Sequence, residues 1–164
     1  MKRILQLADL HLSETATIAG AVHVDANGAN LAVADTLHAV ERIVAAARAA
    51  GPLDGIVIAG DLFDHARPTP NELRIAAALC DYLGGCCLAG RVLMIPGNHD
   101  LPRNPGEASA LVSLAWHPRV MLVEEPRVVE YAGVKVACLP YPRRSAAREY
   151  LGAEVEGQEI GILS

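Results

Sequence analysis

The chain has 164 residues, of which 52% are apolar and 20% charged, with a formal net charge of −5. That length holds one domain with a real core, and that apolar share excludes disorder for the bulk of the chain. The acidic balance argues against this chain gripping nucleic acid strongly by itself, because proteins that hold the phosphate backbone are usually basic.

In chain order, Ile4-Leu5-Gln6-Leu7-Ala8 is a short apolar run that ends in Asp9-Leu10-His11. It reads as a buried strand delivering a polar end into a loop. A connection over 12–30 follows, with Gly20 and Asn27-Gly28 as turn signals and with His23 and Asp25 inside it. It reads as a surface loop with a small hairpin, and its length suggests a lip over a site. Val33, Leu37, Val40, Val44 and Ala47 recur at helical spacing over 31–50, and Gly51-Pro52 stops that helix. His38 beside the stripe reads as structural.

A second strand, Ile56-Val57-Ile58-Ala59, ends in Gly60-Asp61-Leu62-Phe63-Asp64. Thr69-Pro70-Asn71-Glu72 is a capping box with Pro at the first helical position. The helix it opens is expected to bury Leu73, Ala76, Ala77 and Cys80 and to end at Gly84-Gly85. Val92-Leu93-Met94-Ile95 is the third strand, and it delivers Pro96-Gly97-Asn98-His99-Asp100. Two successive strand-helix-strand units predict a parallel sheet with right-handed crossovers. Beyond Asp100 the pattern predicts a short helix over 107–116, a strand over 120–123 and a hairpin of 128–131 with 134–139, split by Ala132-Gly133. A helix is expected over 145–151, and the final residues carry no clear pattern.

Cys80, Cys86, Cys87 and Cys138 form no Cys-x-x-Cys pair and read as reduced residues of a cytoplasmic protein. The first strand begins two residues in, which leaves no signal peptide, and no apolar run reaches the roughly 20 residues of a membrane span.

Three strands thus finish in Asp-x-His, Gly-Asp-x-x-Asp and Gly-Asn-His-Asp, and ligands of open α/β sheets bind outside the carboxyl ends of strands. Asp9 and His11 alternate with Leu10, so both are expected on one face of an extended segment, where they can chelate one divalent ion. Asp61 can bridge two ions, and Asn98 offers a neutral oxygen. Mixed oxygen and nitrogen donors suit manganese, iron or zinc better than calcium. Two ions roughly 3.5–4 Å apart can clamp a phosphoryl group and activate the attacking water. His99 would then donate a proton to the leaving oxygen, with Asp64 holding its tautomer. Each residue alone also fits a turn or a cap. Three such clusters at three strand ends do not. His65, Arg67 and Arg103 flank the loops and read as solvated surface residues that could touch phosphate.

On these motifs the chain resembles the calcineurin-like metallophosphoesterases, over its first hundred residues. Gly60-Asp61-Leu62-Phe63-Asp64 with Arg67-Pro68-Thr69-Pro70, and later Leu139-Pro140-Tyr141-Pro142, make it most similar to the nuclease subunit of the bacterial SbcCD complex. The resemblance implies an α/β fold, a metallophosphoesterase-type β-sandwich flanked by helices (αββα), incomplete here at the C-terminal side. It implies one partial domain over 1–164, with metal ligands Asp9, His11, Asp61 and Asn98, and His99 as catalytic histidine oriented by Asp64. The implied cofactor is a pair of divalent ions, manganese first, with iron, zinc and magnesium open. The implied partners are DNA, through a complex, and an SbcC-like ABC-type coiled-coil ATPase, with a homodimer also open. The family pattern continues with an isolated His and then Gly-His-x-His, whereas only His117 follows His99 here. The resemblance therefore implies the amino-terminal part of a longer nuclease. The activity of these 164 residues alone stays open. The alternatives are a nucleotide or cyclic-nucleotide phosphodiesterase of the same superfamily, or a truncated non-catalytic remnant.

Overall fold

The structure, a computed structural model, describes residues 1–26, 28–104, 107–141 and 160–163. Four strands, β1 (Ile4–Leu7), β2 (Gly55–Ala59), β3 (Val92–Ile95) and β4 (Val120–Leu122), lie parallel and side by side in that order. Every residue of β2 and β3 is buried, the burial that their unbroken aliphatic runs require of a sheet covered on both faces. Ile56 lies beside Val92 and Ile58 beside Met94. Alternation then sends Ile56, Ile58, Val92 and Met94 into one core and Val57, Ala59, Leu93 and Ile95 into another.

The first core is closed by α1 (Leu31–Ala49) and α2 (Pro70–Gly85). The second is closed by a smaller sheet of β5 (Arg127–Tyr131), β6 (Val134–Leu139) and β7 (Ile160–Leu163). The layers are therefore helices, sheet and sheet, three of the four expected. The helix expected over 145–151 lies outside the described residues.

β5 and β6 form the expected antiparallel hairpin, turning through Ala132 and Gly133 with φ of 54° and 77°. Two positive φ values in a two-residue loop make the turn whose twist matches paired strands. Tyr131 fastens this sheet to the first one. Its hydroxyl accepts the Ile56 N–H at 2.9 Å and lies 2.7 Å from the carbonyls of Ile56 and Arg91. Burial pushes that phenol well above its ordinary pKa. β7 pairs parallel with β6 and corrects the reading of a patternless C-terminus. Four residues, Ile-Gly-Ile-Leu, are too few to display a period of two, so the strand is set by its partner.

α1 buries Val33, Val40 and Val44 on the expected stripe. Its N-cap is Asn30, whose Oδ1 accepts the Ala32 N–H at 2.8 Å while Nδ2 donates to the carbonyls of Glu14 and Ala16 at 2.9 Å. One side chain thus starts the helix and holds the preceding connection. That connection contains two antiparallel bridges, Ile18 with Ala21 and Val24 with Asn30, the small hairpin expected there.

α2 opens on the capping box: Thr69 Oγ1 accepts the Glu72 N–H at 3.1 Å and Glu72 Oε2 accepts the Thr69 N–H at 2.7 Å. Its buried face is Ala76, Leu79, Cys80 and Leu83, with Leu73 and Ala77 only partly covered, one step round from the expected stripe. The rotation follows from Glu72, which is 1% exposed because its second oxygen accepts the Glu14 N–H at 2.8 Å. The cap therefore ties α2 to the first loop. Thr69→Ala is expected to lower stability by about 1–2 kcal/mol, read as a fall in the urea midpoint at constant slope.

The helix expected over 107–116 is a single 3-10 turn, Ala110–Leu114. Its buried residues Leu111 and Leu114 are three apart, which suits three residues per turn, and the Ala110 N–H is held by the Asp100 carbonyl at 2.8 Å. All four cysteines are free, two of them buried, and burial pushes the Cys80 thiol up to about 12. Among the described residues no helix is long and apolar enough to cross a membrane.

Candidate metal centre

β1, β2 and β3 end side by side, so the loops that follow them start at one edge of the sheet. The pairing does not stop with the strands. The Asp9 N–H donates to the Gly60 carbonyl (3.3 Å), His11 to Asp61 (3.0 Å), Leu12 to Leu62 (2.9 Å) and Gly60 to Ile95 (3.1 Å). Leu12, Leu62 and Phe63 are at most 1% exposed and anchor these loops in the core. The polar residues among those anchors are brought together at this edge.

That path bends the backbone. Asp9, His11 and Asp61 have φ of 55°, 44° and 50°, in the left-handed region that residues with a Cβ seldom adopt. Such strain persists only where the surroundings enforce it, and it gathers at functional sites. The expected extended Asp9-Leu10-His11 segment is corrected accordingly, because β1 stops at Leu7 and the chain then follows the loop of β2. The two side chains still converge, with Asp9 Oδ1 3.9 Å from His11 Nε2.

The loop after β3 closes over Asp61. Asp61 is 7% exposed, and its Oδ1 accepts the His99 N–H at 2.8 Å. Gly97 passes so near that a Cβ there would sit 2.2 Å from the same oxygen. Asp100, fully buried, accepts the N–H of Phe63 at 3.1 Å and of Gly97 at 3.0 Å. Burial raises its pKa although these contacts work the other way. Asp100 is the clamp between the two loops, a role the sequence reading did not assign. The available signal was an acid three residues after a Gly at a turn, where its carboxylate reaches back to the turn backbone.

His99 Nδ1 lies 2.8 Å from the carbonyl oxygen of Asp64. A carbonyl only accepts, so Nδ1 carries the proton and Nε2 is the outward atom. This contact, ahead of the neighbouring carboxylates, raises the His99 pKa against the effect of burial. The Asp64 carboxylate is 3.8 Å from His99 Nδ1 and closer, 3.3 Å, to His11 Nδ1. Asp64 thus meets His99 through its backbone and His11 through its side chain. The two imidazoles stand edge to face with centroids 4.7 Å apart.

Two overlapping groups, Asp9 with His11 and Asp61, and His11 with Asp64 and His99, each place their donor atoms within 4.8 Å of one another. Asn98 is exposed between Gly97 and His99, both of which touch Asp61. His117 stands apart before β4, its Nε2 3.7 Å from Asp81 and its Nδ1 accepting the Arg119 N–H. His11 Nδ1 is buried without a hydrogen bond, although an Asp64 oxygen lies 3.3 Å away. An orphaned imidazole nitrogen among carboxylates on a half-open rim is a donor set that fits a divalent transition ion.

Residues 2–151 match the model of the family described as calcineurin-like phosphoesterase. Among solved structures, the chain is similar to the crystal structure of Pseudomonas putida nuclease MPE, at 25% identity and a TM-score of 0.47. The likeness covers 88% of this chain and 57% of that one, so this chain spans little more than half of that protein's length. The curated proteins offer no match.

Proposed function

This chain belongs to the calcineurin-like phosphoesterase family, and from that premise we propose that it performs metal-dependent phosphodiester hydrolysis, with DNA as the substrate. The observation that carries the reading is the Asp9, His11 and Asp61 group, held in left-handed backbone, with His99 hydrogen-bonded to it. Asp9 and His11 would hold one ion, Asp61 would reach both, and Asn98 would hold the second. When bound, the ions supply Lewis-acid stabilisation of the phosphoryl oxygens and make the attacking water more acidic. Asp61 Oδ1 takes the His99 N–H, so metal ligation and the placing of His99 would share one carboxylate. The Asp64 carbonyl keeps the His99 Nδ1 proton in place and stabilises the charged ring. Nε2 then donates its proton to the leaving oxygen.

Manganese is the proposed metal, because the Asp9 and Asp61 carboxylates are donors that suit it. The proposed setting is a repair nuclease of the SbcCD type, with a coiled-coil ATPase as partner. The motif run Gly60 to Pro70 supports that reading, as does Leu139-Pro140-Tyr141, whose Tyr141 N–H donates to the Pro96 carbonyl at the root of the third loop. Such a partner would also offset the net charge of −5 on DNA. The test compares manganese-dependent cleavage of linear duplex DNA with that of small phosphodiesters, including cyclic nucleotides. Cleavage of DNA is expected. Turnover of cyclic nucleotides with none on DNA would make it a nucleotide phosphodiesterase instead.

A further inference from the structure

The three loops that carry the metal centre, 8–30, 60–69 and 96–109, hold two cationic side chains between them, Arg67 and Arg103. Both line one cavity of about 480 Å³ between the second and third loops, together with His65, Pro102, Asn104 and Glu107. Its walls are direct continuations of the centre: Arg67 follows Asp64 by three residues, and Arg103 follows His99 by four. Two charges scattered over three loops by solubility alone have no reason to share a cavity.

The surroundings make the pairing informative. The same loops carry Asp9, Glu14, Asp25, Asp61, Asp64, Asp100 and Glu107, on a chain of net charge −5. Against those seven acidic residues, Arg67 and Arg103 are the loops' two permanent cations, and both sit at this cleft. Glu107 sits in the cleft with Oε2 3.6 Å from the Arg67 guanidinium and Oε1 accepting from Asn104 Nδ2 at 2.7 Å. The Arg67 side chain is 82% exposed, so its long contact with Glu107 is open to exchange for another anion. His65 also lines the cleft, its side chain half exposed and its Nε2 3.6 Å from the buried Glu72. A guanidinium meeting an oxyanion at the mouth of a cleft is the chemistry that recognises phosphate.

We propose that this cleft is a phosphate subsite for a polynucleotide strand, taking a backbone phosphate adjacent to the one being cleaved. The inference rests on the phosphodiester reading above and narrows its substrate class. A strand lying over the metal ligands carries further phosphates along its backbone, whereas a cyclic mononucleotide has none to offer.

The test is the binding of a fluorescein-labelled single-stranded oligonucleotide, with calcium in place of manganese, across a salt series. It uses the wild-type chain and the Arg67→Gln, Arg103→Gln double variant. Each phosphate neutralised on a single strand contributes about 0.7 to the slope of log affinity against log salt. The double variant is therefore expected to bind more weakly with a slope shallower by about 0.7, one phosphate's worth, at an unchanged thermal midpoint. A mere surface or folding role would not move the slope. An unchanged slope, or a wild type that binds no oligonucleotide, overturns the subsite. If that wild type still hydrolyses bis-p-nitrophenyl phosphate with manganese, the phosphodiester reading stands while the subsite falls. Binding with the expected slope change but no hydrolysis of any diester supports the subsite and counts against the hydrolytic reading.

Discussion

His99→Ala is expected to lower the turnover of phosphodiester cleavage by about 10²–10⁴-fold, the usual worth of a positioned proton donor, and to leave manganese affinity nearly unchanged. The ring is held from behind by the Asp64 carbonyl at 2.8 Å, and it is the His99 backbone, not the ring, that contacts Asp61. Removing the ring takes away the acid and leaves the Asp61 contact in place. Asp61→Ala is expected to lose both activity and tight metal binding, because that carboxylate is the member of the first donor group nearest the third loop. Asp61→Ala also deprives the His99 N–H of its acceptor, so its loss could arise from a collapsed loop. Asp61→Asn keeps an acceptor there and removes the charge. It is expected to hold the fold and still lose the ion. Calorimetric titration of manganese into the three variants reads this division, and equal loss of metal in His99→Ala and Asp61→Asn would overturn it.

The sequence revealed whatever was local. β2 and β3 were legible because four or five consecutive aliphatic residues admit few other readings, and the hairpin of β5 and β6 because Ala132-Gly133 interrupts two β-branched runs. The capping box at Thr69 is a four-residue signal and stands in the structure as read. The convergence of Asp9, His11, Asp61, Asp64 and His99 was legible from the order of strand ends alone. Features set by distant partners were hidden. The left-handed turns at Asp9 and His11 exist because their N–H groups follow the carbonyls of Gly60 and Asp61, some fifty residues away, and nothing near Leu10 encodes that. Glu72 looked like a cap and is one, but its second oxygen reaches Glu14 across 58 positions. Asp100 belongs to a recognised motif, yet its clamp on Phe63 emerges only when two loops meet.

That meeting makes Gly97→Ala the most damaging glycine-to-alanine change expected among the described residues. The added Cβ would lie 2.2 Å from Asp61 Oδ1, 2.5 Å from the Asp61 nitrogen and 2.8 Å from its Cγ. None of these is the free end of a flexible side chain. The Asp61 carbonyl is held by the His11 N–H, its Oδ1 by the His99 N–H, and Gly97 itself by Asp100 Oδ2. The third loop must lift, which breaks the His99 contact and the Asp100 clamp together. Overpacking a tight site costs about 1–3 kcal/mol, and leaving the buried Asp100 carboxylate short of a donor adds about 1–3 kcal/mol. Gly97→Ala is therefore expected to lower the urea midpoint sharply and to weaken manganese binding as much as Asp61→Asn does. Gly85→Ala supplies the control. It lies at the end of α2 with nothing within 4 Å of a new Cβ, so the better helix former should leave stability equal or slightly higher. If the two alanines behaved alike, the third loop would not be seated on Asp61, and His99 would have no fixed place from which to deliver its proton.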